Sequence, residues 1–76
     1  MSIAIRFRQI RKHFGLSQAQ FAQMIRKSAG FVANVETDRS EVSMSTIQEV
    51  SRVFGIDPKW LYSGTGGMFM EGHGVG

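Results

Sequence analysis

Apolar residues recur along this chain at helical spacing, in short blocks set apart by polar and glycine-bearing stretches. Ile3, Phe7, Ile10 and Phe14 follow one another at intervals of four, three and four, which is one stripe of an amphipathic helix. Gly15 then supplies the residue that commonly ends such a helix. Ser17 starts a second helix: its hydroxyl can cap the first turn, and Gln20 three residues on completes a capping box. Phe21, Ala22 and Ile25 form the buried face of that helix. A new cap at Ser28 leaves only a tight turn, "IRKS", before a third helix ending at Glu36. Val32 and Val35 belong in the core of this third helix, and Phe31 either in the core or on the surface.

"TDRSEVSMS" breaks the period and reads as a loop. Ser43 or Ser45 caps a fourth helix with Ile47, Val50 and Phe54 inward, and Gly55 stops it. Asp57-Pro58 pairs a cap with a proline at the first helical position, which starts a short fifth helix carrying Trp60 and Leu61. No stretch alternates as a strand does. The predicted fold class is therefore all-α: a compact five-helix domain over residues 1–63. Residues 64–76 form a glycine-rich C-terminal tail, since six of those thirteen residues are glycine. Met68, Phe69 and Met70 in that tail are apolar enough to dock on a groove or a partner, and the last few residues are expected to lack fixed structure.

Composition narrows the class. Seventy-six residues make one domain with a small core. The absence of cysteine excludes disulfides and thiolate metal sites. No apolar run approaches a membrane span, and "MSIAIRFRQIRKHF" has no signal-peptide core, so a cytoplasmic protein is expected. The net charge is +3, but it is unevenly placed. Up to Arg39, seven basic residues face two acidic ones; from Ser40 on, two basic residues face four acidic ones. A basic half joined to an acidic half suggests one face suited to a polyanion, or else simply solvated helix surfaces. The two histidines, His13 and His73, have no nucleophile or carboxylate dyad to work with. An enzyme, a bound metal, a cofactor and a small-molecule substrate are therefore not expected.

Two short helices, Ser17–Ile25 and Ser28–Glu36, joined by a tight turn outline a helix-turn-helix. Such helices cross closely, and Ala22 supplies the small residue that a close crossing needs. The ordered set Gly15-Leu16-Ser17-Gln18, Phe21-Ala22 and Val32-Ala33-Asn34-Val35-Glu36 resembles the lambda-repressor-like (XRE) family of phage repressors and bacterial regulators. The resemblance continues through "MSTIQEVSRVFGIDPKWLYSGTGGMF" and covers roughly residues 3 to 69.

The resemblance implies binding of double-stranded DNA, with Ser28, Ala29, Gly30, Phe31 and Asn34 facing the major groove. Ser17, Gln18, Arg11, Arg26, Lys27, Thr37 and Arg39 are the implied phosphate contacts. Gln18 could instead brace the reading helix, and the resemblance also implies that Arg11 pairs with Glu36 and ties the first helix to the third, a reading favoured over two unrelated solvated charges. The family commonly has glycine in the turn where this chain has Arg26, and a left-handed conformation there costs a non-glycine residue about 1 kcal/mol. One domain offers few base contacts, so a homodimer on a near-palindromic operator is expected. Trp60, Leu61, Met68 and Phe69 are the candidates for its interface, with Trp60 also able to close the core. The runner-up function is a protein-interaction module on the same fold, because Ala29-Gly30-Phe31 carries no long polar side chain and could dock a protein.

Overall fold

A computed structural model describes residues 2–70. Its helices are α1 (Ile3–His13), α2 (Gln18–Met24), α3 (Ala29–Glu36), α4 (Met44–Phe54) and α5 (Pro58–Ser63). Each begins at a side-chain cap. Ser2, Ser17, Ser28 and Ser43 accept a hydrogen bond from a backbone N–H of the following turn, and Asp57 does the same ahead of Pro58. Gly55 and Gly64 close α4 and α5 in left-handed conformations.

The helices converge on one apolar cluster. Phe7 and Ile10 from α1, Phe21 and Ala22 from α2, and Val32 and Val35 from α3 meet Ile47, Val50 and Phe54 of α4 and Leu61 of α5. Phe21 is the hub: its ring meets Phe7 edge-on at 5.2 Å between centroids and stacks on Phe54 at 5.1 Å. Fully burying side chains of this size contributes about 1.5–3 kcal/mol each. That burial holds together helices too short to persist alone. Phe14, expected in the same stripe as Phe7 and Ile10, is instead 40% exposed beyond the end of α1.

One feature departs from the sequence reading, and a second decides between its alternatives. Arg6, counted there as part of the basic face, is only 3% exposed. Its Nε donates to the Leu61 carbonyl at 2.8 Å and its Nη2 to the Tyr62 carbonyl at 3.0 Å, so a cation ties α1 to the negative end of the α5 dipole. The chain also stays on the domain beyond Ser63. Ile56 and Phe69 form an antiparallel bridge, with the Asp57 N–H donating to Met68 and the Met70 N–H to Gly55. Met68 and Phe69 thereby pack against the core, and Phe69 meets the rings of His13 and Phe14. The remainder of the tail, with His73, lies outside the described residues.

Candidate nucleic-acid interface

The helix-turn-helix is built from its caps inward. The Ser17 hydroxyl accepts from the Gln20 N–H at 3.0 Å while the Gln20 side-chain Oε1 accepts from the Ser17 N–H at 2.9 Å. This reciprocal pair fixes the start of α2. At the far end the Lys27 N–H donates to the Ala22 carbonyl at 2.8 Å, across Arg26, whose φ of 62° is left-handed. One strained residue thus reverses the chain quickly enough for α3 to cross α2 over Ala22, which is 1% exposed. Ser28 caps α3 through the Phe31 N–H at 3.0 Å.

Behind α3 a polar clamp fixes its far end. Arg11 Nε and Nη2 donate to Glu36 Oε2 and Oε1 at 2.8 and 3.0 Å, and Gln18 Nε2 donates to Oε1 at 3.2 Å. Arg11 Nη1 also donates to the Leu16 carbonyl. Helices α1, α2 and α3 are thereby pinned through one carboxylate. Burial pushes the Glu36 carboxyl up, but the hydrogen bonds from Arg11 and Gln18 and the charges of Arg11 and Arg8 outweigh it and hold the group below its ordinary value. The Glu36 hydrogen bond in turn raises the Arg11 guanidinium above its ordinary value.

The residues that sequence placed at the interface divide accordingly. Ser28, Ala29, Gly30 and Asn34 are exposed on α3, and Phe31 is partly buried, packed on the core with Lys27 Nζ 5.3 Å from its ring centroid. Ser17, Arg26, Lys27 and Arg39 are exposed around α2 and α3. The Arg39 loop is tied back to α3, because the Arg39 N–H donates to the Asn34 carbonyl at 2.7 Å.

Three residues expected to contact phosphate make hydrogen bonds within the domain. Arg11 and Gln18 serve the Glu36 clamp, which was the alternative reading for both. Thr37 is exposed, and its Oγ1 donates to the Ala33 carbonyl at 2.9 Å at the end of α3. Leu61 is corrected as a dimer-surface residue: it is fully buried, because α5 turns that side of the helix into the core. Trp60, Met68 and Phe69 are partly exposed and partly packed on the core. Sequence reasoning missed Arg6, although it sits at the i+3 position from Ile3 and so on the buried stripe.

The helix-turn-helix family profile matches residues 7–61. The chain is 31% identical over 61 residues to the HTH-type transcriptional regulator RamB of Mycobacterium tuberculosis, covering 80% of this chain and 13% of that protein. It is 36% identical over 56 residues to the immunity repressor protein of Bacillus phage phi105, covering 74% of this chain and 39% of that protein. The chain thus spans well under half the length of these relatives. Its fold is similar to that of the P22 c2 repressor protein, solved in complex with a synthetic operator, with a TM-score of 0.77 and 22% identity. That similarity covers 84% of this chain and 97% of the repressor chain. From this family match over most of its length, the chain belongs to the helix-turn-helix family.

Proposed function

We propose that this domain is the DNA-binding part of a transcriptional regulator, acting as a repressor. It seats α3 in the major groove of a near-palindromic operator, as a homodimer. The observation that carries the reading is α3 itself: it is braced from behind by the Arg11–Glu36–Gln18 clamp, while Ser28, Ala29, Gly30 and Asn34 are exposed. A rigid helix with an exposed face is what direct readout needs. Exposed Arg26 and Lys27 precede the helix and Arg39 follows it, so cations flank the reading face and supply phosphate contacts. The full-length relatives named as transcriptional regulator and as immunity repressor support the regulatory assignment.

Asn34 is the base-reading side chain with hydrogen-bonding reach, and it pairs with adenine through N6 and N7. The test is Asn34→Ala, with binding measured against operators changed one base pair at a time. The variant keeps its fold and loses about 1–3 kcal/mol of discrimination at one base pair of each half-site. An unchanged specificity profile removes Asn34 from the readout. The apolar start of α3 favours a second reading, in which this helix docks a protein. Binding to that partner would lack the steep salt dependence of counterion release.

A further inference from the structure

Two cations of α1 take no part in the Glu36 clamp or in the flanks of α3. Arg8 and Lys12 are exposed, one turn apart, on the face of α1 that points away from the core. Among the described residues neither makes an ion pair. Glu36, whose charge Arg8 does feel, is already bonded to Arg11 and Gln18.

Ile5 stands on the same face and is 51% exposed. It precedes Arg8 by three residues, Gln9 by four and Lys12 by seven, so these four side chains form one stripe. Met68 and His13 complete the lining. The Met68 carbonyl is held by the Asp57 N–H, and the His13 ring tilts against Phe69 at 5.1 Å. The result is an open groove of ≈ 570 Å³ that joins two apolar side chains to two cations and has no carboxylate in its lining. None of the residues exposed on α3 lines it.

The chemistry selects one kind of occupant. A phosphate backbone satisfies the cations but leaves Ile5 and Met68 uncovered. A bilayer needs a broad apolar face, and the broad apolar face of α1 is buried in the core. A second copy related by a two-fold axis would set Arg8 and Lys12 against their own counterparts. A helix with an apolar stripe and carboxylates beside it matches both parts of the groove. Its stripe covers Ile5 and Met68, and carboxylates one turn apart meet Arg8 and Lys12. We propose that this groove on α1 docks an acidic amphipathic helix of a protein partner. The partner leaves the exposed residues of α3 open, so the inference goes beyond the DNA-reading function and does not rest on it.

The experiment selects binders to the full chain from a displayed library of helical peptides with random surface positions. The expected result is enrichment of peptides with an apolar stripe flanked by Asp or Glu. Titrating such a peptide into the isotope-labelled chain moves the backbone amide signals of Ile5, Arg8, Lys12 and Met68 and leaves those of Ala29, Gly30 and Asn34 in place. By fluorescence anisotropy, Lys12→Glu weakens the peptide about fivefold, the upper end for one exposed ion pair. Ile5→Gln, also at an exposed position, weakens it too, and both variants keep the parent melting temperature. No enrichment, or amide shifts confined to other faces, overturns the proposal. Equal binding after the peptide's apolar stripe is changed to alanine overturns it in favour of charge alone. Binding of phosphatidylglycerol vesicles that Lys12→Glu abolishes, with no peptide enriched, overturns it in favour of a lipid surface. A slope of log duplex-DNA affinity against log salt that falls by about one in Lys12→Glu assigns the cation to phosphate and overturns it as well.

Discussion

Arg26 stands where a glycine would be free of strain, with φ at 62°. The left-handed conformation costs a non-glycine residue about 1–2 kcal/mol. Glycine would remove that strain but adds chain entropy to the unfolded state, worth roughly 0.5–1 kcal/mol. The strain relieved exceeds the entropy added, so Arg26→Gly is expected to raise the melting temperature by a few degrees. If Arg26 grips a phosphate, the same variant lowers the slope of log affinity against log salt by about one. A changed melt with an unchanged slope would assign Arg26 to the turn alone. Gly30 presents the opposite balance. With open space around it, Gly30→Ala is expected to stabilise the fold by about 0.5–1 kcal/mol in thermal melts. It is also expected to weaken operator binding, because the added methyl group stands between helix and base. Stabilisation with unaltered binding would show that the reading face does not approach the DNA at this point.

Among the helices, the Glu36 clamp decides how α3 is held. The side chains of Arg11 and Glu36 are 13% and 5% exposed, so removing the carboxylate strands a largely buried guanidinium. Glu36→Ala is expected to cost about 3 kcal/mol, the lower end for a broken buried pair. A 76-residue domain has roughly 4–11 kcal/mol in all. Its pH dependence follows from the depressed carboxyl. The folded value lies below the unfolded one, so the clamp contributes fully above the ordinary carboxylate range. That contribution fades as pH falls through the depressed folded value. Denaturant melts across acid pH should show this loss in the parent chain and a flatter profile in Glu36→Gln. An acid profile identical in both would mean the clamp carries no net stability.

The helices themselves were legible in the sequence, because caps and apolar stripes are local signals: Ser17, Ser28, Ser43 and Asp57 cap as expected. What escaped was non-local. Arg6 is buried because α5 brings two carbonyls to it from more than fifty residues away. Met68 and Phe69 pack on the domain, as one of the two readings of their apolar side chains had it, but the Ile56 backbone edge that pairs with Phe69 was not visible in the sequence. Of the residues read as facing the partner, Ser28, Ala29, Gly30, Asn34 and Thr37 are exposed, and the Thr37 hydroxyl also donates to a carbonyl that the folded α3 places beside it.

For the whole molecule, the uneven charge acquires a place. Arg26, Lys27 and Arg39 flank α3, while Arg6 and Arg11 are withdrawn into internal bonds. The cations left for a polyanion are therefore fewer than composition suggests, and under the proposed function a single domain would grip DNA modestly. The proposed pairing of two copies on an inverted repeat would multiply the contacts, with Trp60, Met68 and Phe69 as the partly exposed surface proposed for the dimer. The most direct test of the central claim, that α3 reads sequence, is selection from random duplex DNA at two salt concentrations, read out by sequencing. The expected result is an enriched inverted repeat whose recovery falls at the higher salt. Salt-sensitive recovery with no enriched motif would contradict it, since the domain would then hold DNA by charge alone.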